Sequence, residues 1–250
     1  MDHASHTVRA RSFGAAADQY DRYRPTYPEE AVRWVAGDQP ARVVDLGAGT
    51  GILSRALVAL GHEVIPVEPD EGMRERLVAA SPELTPLAGS AEAIPLPDAS
   101  VDGVVAAQAY HWFDPKRAHV EIARVLRPEG RFAVLWNVRD QSVDWVAQLS
   151  AIAEGLAPGG RVKLPVIASF GPLFGPVEGR QLTHTVAHTP ETLVELIKTR
   201  SYYLTASAEQ RRAIEERIRR LCATHPDLAG RDTFPLPYQT RCYRAVRLPD

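Results

Sequence analysis

The stretch VVDLGAGTGILSRALVALGHEVIPVEPD, from Val43 to Asp70, constrains the fold more than any other part of the chain. An apolar run, ARVVDL at 41–46, meets glycines at 47, 49 and 51, and the run after them places Leu53, Ala56, Leu57 and Leu60 on one helical face. Glycine at such a turn lets the backbone take left-handed torsions and lets a ligand approach the peptide units. A second apolar run, HEVIPVE, ends at Glu68. Strand, glycine turn, helix and strand in that order make a parallel sheet the economical arrangement, with the helix as the crossover between strands running the same way. Open sheets of this kind bind ligands outside the carboxyl ends of their strands, which is where Asp45 and Glu68 stand.

The alternation continues to about residue 136. DEGMRERLVAA reads as a helix, LTPLAG as a short third strand and SVDGVVAAQ at 100–108 as a fourth. DPKRAHVEIARVL is a helix capped by Asp114 with Pro115 at its first position, and GRFAVLW is a fifth strand. Pro66 removes a ladder donor from HEVIPVE, so a local irregularity is expected there. Ahead of the core, Phe13, Ala17 and Tyr20 fall at helical spacing and residues 11–35 predict two short helices. After it, SVDWVAQLSAIAEGL, TPETLVELIKTRSYY and SAEQRRAIEERIRRLC read as helices, the last opening with Ser207 and Gln210 in capping-box spacing. Residues 157–180, rich in Gly and Pro around Phe170, Leu173 and Phe174, read as a long loop or cap, and YQTRCYRAVR as the final strand. The expected organisation is a single domain: lid helices over 1–40, a core over 41–137, a variable cap over 138–205, and a C-terminal helix and last strand over 206–250.

Composition removes several function classes. With 29 basic and 31 acidic residues the formal charge is −2, so no global field recruits nucleic acid or an anionic membrane. Cys222 and Cys242 are the only cysteines, without Cys-x-x-Cys or His-Glu-x-x-His, so neither a disulfide framework nor a metal site is expected. No apolar run approaches the roughly 20 residues of a membrane span, and MDHASHTVRARSF lacks the apolar core of a signal peptide. A cytoplasmic location follows as an expectation.

The glycines then pose the question of which nucleotide they serve. A dinucleotide fingerprint requires G-x-G-x-x-G, and here Ile52 holds the last glycine's place. No Gly-Lys-Ser/Thr follows, which excludes a P-loop. Glu68 suits the ribose of any adenosine, whereas Asp45 is hard to reconcile with two phosphates. It suits a ligand with positive charge, and S-adenosylmethionine carries an ammonium and a sulfonium.

From Val43 to Trp136 the chain resembles the core of class I S-adenosylmethionine-dependent methyltransferases, in particular the small-molecule subgroup related to ubiquinone/menaquinone and trans-aconitate methyltransferases. DLGAGTG is similar to the family's first motif, VEPD to its acidic second, GSAEAIPLPDASVD to its third-strand segment, AAQAYHWFD to its fourth and LRPEGRFAVLW to its fifth-strand run. FGAAADQYDRYRPTYP is similar to the subgroup's lead-in. The resemblance implies a Rossmann-like, doubly wound, mostly parallel α/β sheet of seven strands with the last antiparallel, an N-terminal helical lid and a helical cap insertion. It implies S-adenosylmethionine as cofactor and S-adenosylhomocysteine as product. Gly47, Ala48 and Gly49 then approach the methionyl portion, with Asp45 near its ammonium or oriented toward the turn. Glu68 accepts from the ribose hydroxyls, Pro69 and Met73 wall the adenine, and Ser90, Ala91 and Glu92 meet its edge. Many relatives have Asp where this chain has Ser90, so the contact to the exocyclic amine passes to Glu92 or weakens. Gln108 and Ala109 close the fourth strand beneath the sulfonium. Tyr20 and Arg24 fold over as a lid, Arg24 pairing with the ligand carboxylate; the alternatives are a core aromatic and a solvated surface charge.

Methyl transfer from a sulfonium asks for an acceptor held in line in a dry pocket, and for a general base only where the acceptor starts protonated. His111 is the one candidate base placed by a motif; the alternative is that His111 and Trp112 pack the cofactor pocket or point at the following helix. Trp112, Trp136, Asn137, Arg139, Arg200, Tyr202 and Tyr203 are the acceptor-site candidates, although core packing explains Trp136 and Tyr203 equally well. His184, His188 and His225 read as surface or structural. Gln-Ala-Tyr-His stands where base-modifying enzymes of this fold carry Asn/Asp-Pro-Pro-Tyr/Phe, which with the near-neutral charge argues against DNA or RNA. The expected partner is a small-molecule acceptor, without nucleic acid or membrane, and the protein a monomer or homodimer. Residues 140–205 read as a cap over a partly apolar molecule, or as a dimer contact or connector. Two other functions stay open: a nicotinamide oxidoreductase, and a protein that binds S-adenosylmethionine without methylating, as a sensor or a sulfonium-assisted catalyst.

Overall fold

The computed structural model describes residues 17–155 and 166–249. In chain order the elements are α1 (Ala17–Tyr23), α2 (Glu29–Ala36), β1 (Arg42–Leu46), α3 (Ile52–Ala59), β2 (Glu63–Val67), α4 (Glu71–Ala80), β3 (Val101–Ala107), α5 (Pro115–Val125), β4 (Leu126–Arg139), α6 (Asp144–Gly155), β5 (Glu178–His188), α7 (Pro190–Lys198), α8 (Ser201–Leu204), α9 (Ala208–Thr224) and β6 (Phe234–Val246). A single 3-10 turn, Tyr110–Trp112, follows β3. The sheet runs β2-β1-β3-β4-β6-β5, mostly parallel with an antiparallel edge. Parallel pairing joins β1 to β2 and β3, and β3 to β4. This is the α/β architecture expected, with six strands in place of seven. Phe13 and residues 157–165 of the Gly/Pro stretch lie outside the described residues.

The strand count differs for a chemical reason. LTPLAG contributes one bridge, Val67 to Leu87, and no strand. Leu87 N–H donates to the Pro66 carbonyl at 2.8 Å and Glu68 N–H to the Leu87 carbonyl at 3.0 Å. Beyond those two bonds the ladder meets Pro66 and Pro86, neither of which has an N–H to give. Toward β1 the expected irregularity at Pro66 is absent. The register passes through Val44↔Ile65, Asp45↔Pro66 and Leu46↔Val67 unbroken, because the missing donor falls on the side facing Leu87.

The chain divides into two compact units. Unit two comprises Thr26–Asn137, Leu164–Leu182 and Thr240–Asp250. Its core joins Val32 and Val35 of α2, Val43 of β1, Leu53 and Leu57 of α3, Ala133 and Leu135 of β4 and Cys242 of β6. Phe170 and Phe174, expected in a cap over the ligand, are buried in this unit against Phe132, at ring distances of 4.5 and 5.7 Å. Tyr110 and His119 complete that aromatic cluster. Large rings in a Gly/Pro stretch gain more by filling a core than by lining a wet groove.

Unit one comprises Met1–Pro25, Val138–Lys163 and Thr183–Gln239. Trp145 and Leu149 of α6, Leu193 and Ile197 of α7, Ile214 and Ile218 of α9, and Leu236 and Tyr238 of β6 form its core. Ser207 caps α9 through the Gln210 N–H, and the Gln210 side chain returns to the Ser207 N–H at 2.9 Å, the box read from the sequence. Among the described residues no helix is long and apolar enough to cross a membrane.

Candidate functional site

The glycine turn is held open by its backbone. Gly47 and Gly49 have φ of +73° and +55°, a region that side chains rarely enter. A Cβ on Gly47 would stand 2.7 Å from the Ala109 Cβ, so the segment that follows β3 closes tightly over the turn. At Gly49 the same atom would meet nothing within 4 Å, and this residue faces free space. Gly47 and Ala48 N–H groups both donate to the Val67 carbonyl, tying the turn to the end of β2.

Two buried carboxylates flank that turn. Asp45, fully buried, accepts the Ser54 hydroxyl on Oδ2 at 2.6 Å, while Oδ1 is buried without a partner among the described residues. Burial, with a contribution from the Glu68 charge, pushes Asp45 up to about 7. Glu68 Oε2 accepts the Gly49 N–H and Oε1 the Asp70 N–H, both at 2.9 Å, and burial raises its pKa too. Each oxygen keeps a lone pair for a further donor. Asp70 caps α4 through the Met73 N–H; Met73 is buried and Pro69 exposed. Ser90 Oγ accepts the Glu92 N–H at 3.3 Å, Ala91 is buried, and Glu92 Oε1 takes the Asp114 N–H at the start of α5.

The end of β3 is strained. Gln108 has φ of +56° without being glycine, its N–H donates to the Leu135 carbonyl and its Nε2 to the Asn137 carbonyl. Such torsions cost about 1–3 kcal/mol and cluster at functional sites. Ala109 follows against Gly47, then His111 and Trp112, whose rings lie 4.7 Å apart. Trp136 Nε1 donates to His111 Nδ1 at 3.4 Å. Trp136 and Asn137, acceptor-site candidates by sequence, are both buried and act as struts. Trp136 packs edge-on against Tyr110 and Tyr243, while Asn137 donates to the Thr26 carbonyl and accepts the Thr240 hydroxyl.

Unit one holds the remaining candidates. Arg24 Nε and Nη2 donate to the Thr199 hydroxyl and carbonyl, and its guanidinium lies 4.4 Å over the Tyr20 ring. Arg139 is buried, and its charge and that of Arg24 bear on Arg200 together with the phenols of Tyr202 and Tyr238. Tyr203 turns elsewhere, its hydroxyl donating to Glu215 Oε1 at 2.5 Å. Sequence reading gave no role to Tyr238; His184, read as surface or structural, stacks on it. The available signal was the period-two burial of β6, which puts Tyr238 on the same face as Thr240 and Cys242.

Comparison with known proteins decides the family. A family model described as a methyltransferase domain matches residues 44–134. An uncharacterised methyltransferase of Mycobacterium tuberculosis is 45% identical over 237 residues, covering 94% of this chain and 95% of its own. The chain belongs to the class I S-adenosylmethionine-dependent methyltransferases. An uncharacterised methyltransferase of Schizosaccharomyces pombe is 30% identical to this methyltransferase over 246 residues, 96% of this chain and 98% of its own. A solved structure named "Putative Type II Methyltransferase" from Anaeromyxobacter dehalogenans superposes with a TM-score of 0.67 at 29% identity, covering 91% of this chain and all of that one.

The residues of this methyltransferase fit the cofactor its family uses. Asp45 Oδ1 is a buried acceptor lacking a donor, an arrangement that costs about 1–3 kcal/mol and that an ammonium relieves. Glu68 retains acceptor capacity for hydroxyls, and the open side of Gly49 leaves room for a ligand against the peptide backbone. Two buried carboxylates around one turn oppose a pyrophosphate by like charge.

Proposed function

We propose that this methyltransferase moves a methyl group from S-adenosylmethionine to a small-molecule acceptor by in-line displacement. The unpartnered buried oxygen of Asp45, beside a glycine turn open at Gly49, carries the reading. When bound, the cofactor supplies an electrophilic methyl on a sulfonium. The chain's own residues bind and orient: Asp45 receives the ammonium, Glu68 the ribose hydroxyls, and the strained backbone at Gln108 with Ala109 fixes the floor between β1 and β3. Near-neutral net charge and the absence of an Asn/Asp-Pro-Pro-Tyr/Phe segment favour a metabolite over nucleic acid.

His111 is a positioning donor in this scheme. When its Nδ1 accepts from Trp136, the ring proton sits on Nε2, which then acts as a donor.

The test is parallel calorimetric titration with S-adenosylmethionine, S-adenosylhomocysteine and NADH, followed by a metabolite screen for S-adenosylhomocysteine release. Micromolar binding of the first two, none of NADH and turnover with an acceptor is the expected result. Binding of NADH alone overturns the assignment. Tight S-adenosylmethionine binding with no turnover across a broad panel makes the protein a binder that does not methylate.

A further inference from the structure

The aromatic cluster of unit two encloses a polar pair. Tyr110 Oη and His119 Nε2 share a hydrogen bond at 2.9 Å, and their rings lie nearly parallel with centroids 5.9 Å apart. Phe132 and Phe170 pack against both rings, at centroid distances between 5.8 and 6.1 Å. Burial raises the Tyr110 hydroxyl to about 12 and lowers His119, so near neutral pH both groups are uncharged. Packing alone does not account for the two polar atoms. A phenylalanine would fill the place of Tyr110, and burying a hydroxyl beside an imidazole costs free energy unless the two bond each other. What the bond adds is direction, because it holds an orientation that ring-on-ring contact leaves soft.

That direction is imposed on the segment leaving β3. Tyr110 opens the 3-10 turn, in which the Trp112 N–H donates to the Ala109 carbonyl at 2.8 Å and the Phe113 N–H to the Tyr110 carbonyl at 3.2 Å. Just before it, Gln108 holds its left-handed φ of +56° with its N–H on the Leu135 carbonyl and its Nε2 on the Asn137 carbonyl. Such a torsion persists only where its surroundings over-determine it. β4 fixes the chain on one side of Ala109, and the Tyr110 hydroxyl, bonded to His119 of α5, fixes it on the other. Ala109 lies between these anchors, and a Cβ on Gly47 would come within 2.7 Å of its Cβ and 4.0 Å of the Phe113 ring. A rotation of the 3-10 turn therefore moves Ala109 against Gly47, and with it the backbone of the glycine turn.

We propose that Tyr110 and His119 are a positioning pair, whose hydrogen bond orients the segment Ala109–Trp112 and through Ala109 holds the glycine turn in the shape that receives S-adenosylmethionine. The inference deepens the function proposed above and rests on it for the ligand. Neither side chain needs to touch the cofactor: His119 acts through Tyr110, and Tyr110 through the backbone it anchors.

The experiment titrates the full-length protein with S-adenosylhomocysteine by calorimetry, with thermal melts in parallel. The variants are Tyr110→Phe, His119→Leu, the two combined, His119→Gln, and Val35→Ala, a buried α2 residue in the neighbouring core cluster. Tyr110→Phe and His119→Leu are each expected to weaken binding at least about fivefold, and the double variant no further than either alone, because both remove the same bond. His119→Gln, whose amide stands near the place of Nε2 and can donate or accept, should restore affinity to within about twofold of wild type. Val35→Ala should lower Tm and leave affinity within about twofold, since loss of stability alone does not change binding by the folded protein. If His119→Leu fails to fold, Tyr110→Phe, which removes one oxygen, and His119→Gln carry the test. Wild-type affinity in Tyr110→Phe overturns the inference and leaves the cofactor reading standing. Additive losses in the double variant, or a glutamine that does not rescue, show the two residues to be separate packing elements and overturn the pair. Wild-type protein that binds no S-adenosylhomocysteine overturns the cofactor reading and this inference together.

Discussion

At the scale of single residues, two glycines two positions apart do different work. Gly49→Val adds atoms to free space beside a left-handed backbone, so it is expected to leave the fold assembled and lower S-adenosylmethionine affinity at least tenfold, about 1.4 kcal/mol by calorimetry. Gly47→Ala drives a methyl into Ala109, and the loss appears instead as about 1–3 kcal/mol of unfolding free energy in urea. Asp45 supplies a pH signature. Burial raises it from 3.8 to about 7, so between those values the folded chain holds a proton that the unfolded chain has lost. The stability it contributes is therefore full below 3.8 and is lost as pH rises through about 7. An ammonium beside Asp45 favours its ionised form, so cofactor binding expels the proton. Affinity is expected to rise between about pH 6 and about pH 8, and Asp45→Asn to flatten that rise; calorimetry in buffers of different ionisation enthalpy counts the proton. His111→Ala, lacking a role in cofactor capture, should leave affinity within about threefold. The glycines and both carboxylates were legible in the sequence, because their spacing after an apolar run is local information. The orphaned state of Asp45 Oδ1 was not, since it depends on Ser54, nine positions on, taking only Oδ2.

At the scale of elements, local chemistry and tertiary placement diverge most clearly in the strands. β1, β2, β3 and β4 announce themselves as apolar runs between turn residues. β5 does not: EGRQLTHTVAH has little apolar alternation, because as the last strand of the order it pairs on one side and is exposed along most of its length. LTPLAG shows the converse, an apolar segment denied a ladder by two prolines. Helix caps, by contrast, are written locally. Ser207→Ala is expected to cost about 1 kcal/mol of stability, read from urea melts, without change in cofactor affinity. Phe170 tests the placement of its Gly/Pro stretch. As a fully buried core ring it should cost about 3–5 kcal/mol when changed to Ala, seen as a lower Tm; a cap residue would shift KM and leave Tm in place.

At the scale of the whole molecule, the linkage of ligand to folding gives a global readout. S-adenosylhomocysteine at about 100 times its Kd is expected to stabilise the protein by about 2.7 kcal/mol, and NADH at the same concentration not at all, measured by thermal shift. The sequence by itself determined the parallel α/β architecture, the cofactor turn and the acidic residues beside it, since each is encoded within some 25 consecutive residues. Only the tertiary structure decided that Trp136 and Asn137 are struts, that Phe170 belongs to a core, and that Arg24, Arg139 and Arg200 share one environment with Tyr238. Those last residues span more than 200 positions of the chain, and no periodicity or spacing links them. Their meeting depends on how strands and helices pack, and it exists only after that packing is complete.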